Sequence, residues 1–381
     1  MAFTAALSTS RTRRSIVGEW WRSVDHITLG FLICLIGAGL ILSMAASPSA
    51  SVRLGIDNPF HFLYRQSLFV ALGLSGAFFV SLMPPLWSRR IGIMALIGSM
   101  ILLLFLPAIG YEVKGATRWI KLGPFSLQPS EFAKPGFIVF AAWMFSMGKR
   151  DPNIPSVPIV FGVYLALVAL LITQPDFGQS FLITLCFAAV FFFAGLSLGR
   201  VLILVGLALF ASFIAYSSLP HVRDRVKTFL SPDSSDTYQT DKALEAISSG
   251  GFFGRGPGEG AVKYSLPDGH TDFIFAVTVE EFGFLISMFL IILLAGFVIR
   301  CFRNALKLND YFSQLAVAGL ATMIGMQVVI NLFVNLNMAP SKGMTLPFIS
   351  YGGSSMLALC FTAGIILSFT RKRPGAYGYG E

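Results

Sequence analysis

Carboxylates that could act on a substrate are concentrated in one segment of the chain, between Asp268 and Glu281. Asp272 stands immediately before a long apolar run, a position in which a partly buried carboxylate can take a proton as a general base. The same position suits a helix cap, because an aspartate oxygen readily accepts the free backbone N–H groups of a first helical turn. Glu280 and Glu281 lie inside the run, and since charge within a bilayer is costly they must face protein or a water-filled cavity.

Cations accompany an aromatic side chain in a second polar segment, which contains Lys114, Arg118 and Trp119. An arginine guanidinium and a lysine ammonium can bind the phosphate of a lipid head group, and an indole ring favours the membrane interface. The alternative is an interfacial re-entrant turn whose Lys and Arg side chains only extend toward lipid phosphates. The residue types alone leave both interpretations open.

A third polar segment, 335–355, contributes another cation, Lys342. Gly352 and Gly353, with a proline ahead of them, are expected to unwind the start of the last apolar run. Unwinding frees backbone groups that a cavity or a ligand must satisfy. Ser350 lies within this stretch and is a supporting candidate.

Asp176 stands in a tight turn, 174–180, between two apolar runs. The proline before it and the glycine after it favour a cap on the following helix. Asp176 is therefore predicted to support the site, and it is the second choice as base.

The longest polar insertion, 218–271, adds two weaker candidate cations, Arg223 and Lys263. Residues 241–248 predict a short amphipathic helix. The dense glycines of 250–260 indicate flexibility or close backbone approach, and we favour flexibility. A nucleotide-binding loop is excluded, because the Walker Lys-Ser/Thr pair and a preceding strand are missing.

The elements that must position these residues are membrane helices. Hydrophobic residues make up 55% of the chain, charged residues 12%, and the mean hydropathy is +0.73, a balance that cannot cover a water-facing surface. Barrel strands are excluded because they would alternate polar and apolar residues. The ten predicted spans are 27–46, 62–83, 91–110, 132–147, 157–173, 181–198, 201–217, 273–299, 312–336 and 346–370. The sequence thus predicts an all-α polytopic membrane protein.

One membrane domain, 27–370, is expected between tails of residues 1–26 and 371–381. Lys and Arg recur in the first tail, in every second connection and after the last span. The positive-inside rule therefore places both termini in the cytoplasm and the large loop, between spans 7 and 8, in the periplasm. The net charge of +9 reflects this topology and does not indicate nucleic-acid binding. The fourth span is short and contains Pro135, which predicts either a kink there or a helix count that differs by one.

Several motifs resemble, in this order, those of the SEDS family of bacterial shape and division proteins. They are Lys-Gly-Ala-Thr-Arg-Trp-Ile at 114–120, Gln-Pro-Asp-Phe-Gly at 174–178, His-Thr-Asp-Phe-Ile-Phe-Ala-Val at 270–277 and Pro-Ser-Lys-Gly-Met-Thr-Leu-Pro at 340–347. The resemblance extends from about residue 27 to residue 370. The last motif is most similar to the FtsW branch of the family, since the RodA branch more often has a Thr-Gly pair without the lysine.

The resemblance implies a peptidoglycan glycosyltransferase that polymerises lipid II at the division septum, on the periplasmic face of the inner membrane, with Asp272 as the catalytic residue. A base for the acceptor hydroxyl and positive charge for the departing polyprenyl pyrophosphate would complete an inverting single displacement. The predicted pyrophosphate contacts are Lys114, Arg118 and Lys342. A divalent cation, Mg²⁺ or Mn²⁺, is a further candidate, because Asp272 and Asp268 offer hard oxygen ligands.

Two other functions stay open on the sequence alone. A lipid flippase would use Glu280, Glu281 and the interrupted last helix as a transport pathway. A non-catalytic division scaffold would use the outer loops as binding surfaces.

A partner for cross-linking is also expected. The Ser-x-x-Lys spacing of transpeptidases occurs only from Ser146 to Lys149, at the cytoplasmic end of a span. The resemblance implies a class B penicillin-binding, FtsI-like transpeptidase, alongside other division proteins and membrane lipids. We expect this partner to activate the protein by ordering the glycine-rich loop 250–260.

Overall fold

The computed structural model describes residues 15–113, 116–123, 125–174, 176–195, 237–340 and 343–372, together with isolated positions between 199 and 223. Eleven helices and three short strands follow one another within these residues. The helices are α1 (Ile16–Ser23), α2 (His26–Arg53), α3 (His61–Leu82), α4 (Pro85–Ile109), α5 (Pro129–Arg150), α6 (Ser156–Thr173), α7 (Phe177–Phe193), α8 (Thr237–Gly250), α9 (Ile274–Ala305), α10 (Tyr311–Asn335) and α11 (Gly353–Thr370). The strands are β1 (Tyr111–Val113), β2 (Ala116–Leu122) and β3 (Phe125–Leu127), and Val262–Tyr264 form a single 3₁₀ turn.

Within the described residues, seven helices are long and apolar enough to cross a bilayer, namely α2, α3, α4, α6, α9, α10 and α11. The shorter apolar helix α7 and helix α5, which carries charged residues at both ends, also coincide with predicted spans. Nine of the ten predicted spans are therefore helices, and the polytopic all-α membrane fold is confirmed. The seventh span, 201–217, falls almost entirely outside the described residues.

Backbone irregularity lies in α9 rather than in α5. Helix α5 continues through Pro135, where the sequence predicted a kink. Helix α9 is broken at Gly283, which has φ 79° and ψ 176°, a conformation that only glycine adopts readily. The predicted helix 241–248 is confirmed within the longer α8.

A small antiparallel sheet, β1-β2-β3, replaces the re-entrant turn considered for the segment around Arg118. Tyr111 pairs with Trp119 across β1 and β2, and Ile120 pairs with Leu127 across β2 and β3. Strands of three to seven residues have too little alternation to be recognised in sequence. Their stability depends on pairing and on packing against α4 and α11.

Helices α3 and α11 pack tightly because small residues face each other. A Cβ on Gly73 would lie 2.8 Å from Cys360 Sγ, and a Cβ on Gly364 would lie 2.8 Å from the carbonyl oxygen of Ala77. Side chains at either glycine would therefore separate the two helices. This packing brings the first turns of α3 against the segment that precedes α11.

Candidate active site

Asp272 lies in the turn that leads into α9 and is half-buried. Its main-chain carbonyl accepts hydrogen bonds from Asn331 Nδ2 at 2.8 Å and from Asn335 Nδ2 at 3.0 Å. A Cβ built on Gly343 would lie 3.9 Å from Asp272 Oδ2, so the carboxylate lies beside the segment that follows Lys342. The structure therefore fixes the backbone of Asp272 and places its carboxylate beside Gly343.

The turn before Asp272 is closed by main-chain hydrogen bonds. The carbonyl of Asp268 accepts from Thr271 N at 3.0 Å and from Phe273 N at 3.2 Å, and Asp268 itself has φ 55°. Such a left-handed residue is uncommon outside glycine and Asn or Asp. An aspartate tolerates this conformation, and the two hydrogen bonds hold the turn that carries Asp272.

The unwound stretch before α11 packs against this turn, as the glycine pair and the proline predicted. Ser350 Oγ donates to the carbonyl of Thr271 at 2.6 Å and accepts from Leu346 N at 2.8 Å. Tyr351 N donates to the carbonyl of His270 at 3.0 Å. Ser350 thus ties the stretch to the turn that carries Asp272.

Glycines make room for the unwound stretch. A Cβ on Gly353 would lie 2.5 Å from the Phe69 ring, and one on Gly39 of α2 would lie 2.6 Å from the carbonyl oxygen of Phe348. Gly352 has an extended backbone and is the N-cap residue of α11. Phe348 is fully buried with φ 66°, so tertiary packing must hold its backbone in a conformation that costs about 1–3 kcal/mol.

Sequence reasoning missed three amides on α10 that hold the site together. Gln327, Asn331 and Asn335 are all buried and stand four residues apart, so they lie on one helix face. Asn331 Nδ2 bridges the carbonyls of Asp272 and Met344, and Gln327 Nε2 donates to Thr345 O at 3.2 Å. The signal was present as amides at regular spacing inside an apolar run.

Arg65 on α3 is a second residue that sequence reasoning missed. Its helix neighbours Phe62 and Gln66 are buried, and Gln66 Nε2 donates to the carbonyl of Ser350 at 3.2 Å. Arg65 is half-buried, and its charge acts on the phenol of Tyr351. An arginine one turn inside an apolar span is expensive in lipid, and here it faces the protein beside the Asp272 turn.

Arg118 and Asp176 meet at a second polar cluster, between β2 and the turn before α7. Arg118 Nε donates to the carbonyl of Gln174 at 3.2 Å, and Arg118 Nη1 lies 3.9 Å from Asp176 Oδ1. Burial raises the pKa of the Asp176 carboxyl, and the charge of Arg118 opposes that shift. Asp176 stands at the N-cap position of α7, where the sequence predicted a cap, but its side chain makes no capping hydrogen bond there.

An ion pair inside α5 lies next to this cluster. Lys134 Nζ and Glu131 Oε2 are 2.9 Å apart, and both side chains are almost fully buried. Gln179 Nε2 donates to Glu131 Oε1 at 2.7 Å. This buried polar set explains why α5 is less apolar than the helices around it.

Glu280 and Glu281 face protein, as the cost of burying charge required, and they bind the end of the large loop. Glu280 accepts from the main-chain N–H groups of Val262 at 2.7 Å and Lys263 at 2.9 Å. Glu281 accepts from Gly258 N at 3.0 Å and forms an ion pair with Lys263 Nζ. We refer to these contacts of residues 258–263 with Glu280 and Glu281 as the latch.

The prediction that Lys263 contacts pyrophosphate does not fit the latch. The Lys263 side chain is 1% exposed and the Glu281 side chain 0% exposed. A buried ammonium paired with a buried carboxylate cannot meet a substrate without first breaking the ion pair. Lys263 therefore has a structural contact where the sequence suggested a substrate contact.

The glycine-rich loop is held against α9, so the preference for flexibility was wrong and the alternative of close backbone approach is right. Arg255 N donates to Glu280 O at 2.9 Å, and Phe284 N donates to Gly251 O at 3.0 Å. A Cβ on Gly254 would lie 2.2 Å from Glu281 O. The glycines are needed because the loop makes main-chain hydrogen bonds with α9, where the break at Gly283 exposes the helix backbone.

The remaining predicted substrate contacts are Lys114, Lys342, Trp119 and Arg223. Lys114 and Lys342 lie outside the described residues. Trp119 is half-buried in β2, and Arg223 donates to the carbonyls of Tyr216 and Ser217. Within the described part of the chain, no three His, Cys, Asp or Glu side chains form a group that could hold a metal ion.

The helix bundle and this site define a polytopic membrane protein with a candidate reactive carboxylate at one end. The chain belongs to the FtsW, RodA and SpoVE family of cell cycle proteins, whose sequence profile matches residues 26–374. The resemblance to the SEDS family is thereby confirmed.

Similar proteins share nearly the whole chain. A protein of Caulobacter vibrioides described as a probable peptidoglycan glycosyltransferase FtsW is 48% identical over 378 residues, which cover 99% of this chain and 97% of the relative. One of the same description from Coxiella burnetii is 36% identical and covers 88% of this chain and 93% of the relative.

Solved structures share the fold. A peptidoglycan synthase complex, described as coordinating polymerization and crosslinking, contains a chain that is 30% identical with a TM-score of 0.75, covering 92% of this chain and 98% of that one. The rod shape determining protein RodA of Thermus thermophilus is 29% identical with a TM-score of 0.68, covering 92% and 97%.

Proposed function

We propose that the protein is a peptidoglycan glycosyltransferase that polymerises lipid II into glycan strands at the division septum. The observation that carries this proposal is the arrangement around Asp272, whose backbone is fixed by Asn331 and Asn335 while its carboxylate lies beside Gly343. Membership of the family and the descriptions of its relatives support it. The test is formation of glycan chains from labelled lipid II by the purified protein.

The chemistry needs one base and a stabilised leaving group. Asp272 takes the proton of an acceptor sugar hydroxyl as that oxygen attacks the anomeric carbon of the donor. The bond from that carbon to the polyprenyl pyrophosphate breaks, and the pyrophosphate leaves without needing a proton. One carboxylate therefore suffices where glycosidases use two, and the single displacement inverts the anomeric centre.

Cations around the site stabilise the departing pyrophosphate. Arg118 was predicted from the sequence and lies within the described residues. Its planar guanidinium group suits a pyrophosphate. Arg65 joins it because it faces the Asp272 turn, and Lys114 and Lys342 remain candidates from the sequence. Trp119 would carry the lipid end of the substrate at the membrane interface.

A divalent cation stays a prediction. Asp272 and Asp268 stand four residues apart around one turn, and their carboxylates are the hard oxygen ligands that Mg²⁺ and Mn²⁺ prefer. Two carboxylates leave most of such a coordination sphere to water or substrate oxygens. When bound, the cation would supply positive charge to the pyrophosphate.

A flippase is less well supported than a glycosyltransferase. That hypothesis assigned Glu280 and Glu281 to a transport pathway. In the structure both carboxylates accept hydrogen bonds from main-chain N–H groups of residues 258–263, as part of the latch. A transport role would require the latch to open in every cycle.

Both termini are cytoplasmic and the 218–271 loop is periplasmic in this proposal, because Lys and Arg alternate between successive connections. A reporter enzyme that is active only in the periplasm should be active when it is fused after Asp236. A reporter that is active only in the cytoplasm should be active when it is fused after Arg303. The same compartment for both positions would contradict the ten-span arrangement.

A class B penicillin-binding transpeptidase is the proposed partner, because this chain lacks an outer Ser-x-x-Lys nucleophile and a similar chain occurs in a peptidoglycan synthase complex. Phe252 and Phe253 are strongly exposed beside Phe284 of α9, and they offer an apolar surface for the partner's membrane anchor. Since the loop is already held by the latch, activation cannot come from ordering it. Activation would instead shift the turn that carries Asp272.

Activation is tested by adding a transpeptidase-inactive partner to the purified protein and measuring lipid II polymerisation at matched concentrations. We expect a faster rate in the complex and no gain when Phe252 and Phe253 are both replaced by Ser. Equal rates with and without the bound partner would limit its role to proximity.

A further inference from the structure

A pocket of about 690 Å³ opens at the end of the bundle opposite Asp272. It lies between the last turn of α5, the start of α6, the end of α7 and the start of α10, so it is separated from the Asp272 turn by the length of α9. Its lining includes the apolar side chains of Phe145, Val157 and Pro158 together with Lys149. Its volume falls in the range of about 300–1,000 Å³ typical of ligand sites.

Cations at this end of the bundle lie against aromatic rings. Lys149 Nζ lies 3.7 Å from the centroid of the Tyr311 ring. The guanidinium carbon of Arg89 lies 5.1 Å from the ring centroid of Trp143 and 5.8 Å from that of Phe312. Because Tyr311 and Phe312 are adjacent in the first turn of α10, the two cations gather at the same mouth of the bundle.

Positive charge exceeds negative charge here. Arg150 pairs with Asp310 at 3.6 Å, and that carboxylate also accepts a hydrogen bond from Ser313 N at 3.0 Å. The charges of Arg90 and Arg150 repel that of Arg89, and the Asp310 carboxylate attracts it. Arg89, Arg90, Lys149 and Arg150 thus outnumber the carboxylates at this mouth, Asp151 and Asp310, and an anion here would relieve repulsion among the cations that are left unbalanced.

We propose that the pocket binds one anionic phospholipid, with its phosphate at Lys149 and the upper part of an acyl chain along Phe145 and Val157. Basic pockets between membrane helices recognise such head groups. A free phosphate would gain nothing from the apolar side chains, and a zwitterionic lipid would add a cation where cations already repel. This inference does not depend on the glycosyltransferase chemistry.

The test is native mass spectrometry of the delipidated full-length protein, titrated with phosphatidylglycerol or with phosphatidylcholine of the same acyl chains. Wild-type protein should retain one phosphatidylglycerol at concentrations where phosphatidylcholine does not bind. Lys149→Gln should weaken phosphatidylglycerol binding about tenfold, because it removes a charged hydrogen-bond donor. Val157→Trp should weaken it as well, because it fills the pocket without changing charge.

Arg303→Gln is the matched control, since Arg303 is an exposed cation at the same end of the bundle but outside the pocket. It should bind phosphatidylglycerol as wild type does, and so should Lys149→Arg, which keeps the charge. The proposal is overturned if Lys149→Gln and Arg303→Gln bind equally, if phosphatidylcholine binds as tightly, or if inorganic phosphate alone displaces the lipid. If Lys149→Gln does not fold, wild-type affinity in Val157→Trp overturns it.

Discussion

Asp272→Asn is expected to abolish glycan polymerisation while the protein still inserts and folds. The amide keeps the shape of the side chain but cannot accept a proton, and loss of a general base lowers rates by about 10²–10⁴-fold. The backbone contacts of Asn331 and Asn335 with residue 272 are made by its carbonyl, so they survive the change. The measurement is chain formation from labelled lipid II, with the thermal midpoint of each purified variant recorded alongside.

The control is Asp241→Asn, which replaces an exposed carboxylate on α8 in the same large loop and should leave the rate unchanged. The helix-cap interpretation makes the opposite prediction for Asp272→Asn. Asparagine is itself a good cap, and even a lost cap costs only about 0.5–2 kcal/mol of stability. Near-normal glycan synthesis by Asp272→Asn would therefore make Asp176 the candidate base.

Lys263→Met should markedly destabilise the protein. It leaves the Glu281 carboxylate buried without its ion-pair partner, and breaking a buried pair in this way costs about 3–5 kcal/mol. The thermal midpoint should fall markedly. Because the latch holds the loop against α9, whose first turn follows Asp272, we also expect slower polymerisation.

A double variant separates charge from packing. Lys263→Met with Glu281→Gln removes both charges and should be more stable than Lys263→Met alone. Lys242→Met is the matched control, since its ion pair with Glu245 is exposed, and it should change the midpoint little. A midpoint for Lys263→Met equal to that of Lys242→Met would show that the ion pair between Lys263 and Glu281 contributes no stability.

The membrane fold was predictable because hydropathy is summed over about 20 residues for each span. Nine spans coincide with helices even where charged residues interrupt the pattern, as in α5. The sheet around Arg118 was not predictable, because three-residue strands depend on their partners. Glycine density at 250–260 was ambiguous, since the same residues suit a flexible loop and a backbone-to-backbone contact with the break at Gly283.

The site was predicted in part. Asp272 and Ser350 could be found because they interrupt apolar sequence next to proline and glycine. Asn331 and Asn335 stand inside an apolar run at a spacing that signals one helix face, but side-chain chemistry does not reveal that their partner is the backbone carbonyl of Asp272. Lys263 was misassigned because its carboxylate partner stands 18 residues away, and only the fold brings the two together.

The most direct measurement reconstitutes the purified protein in liposomes with labelled lipid II, and reads glycan chains and lipid transfer between leaflets in the same sample. The account predicts that glycan chains appear and that polyprenyl pyrophosphate is released as they grow. Transfer of lipid II across the bilayer with no glycan chains, in the presence of a transpeptidase-inactive partner, would contradict it.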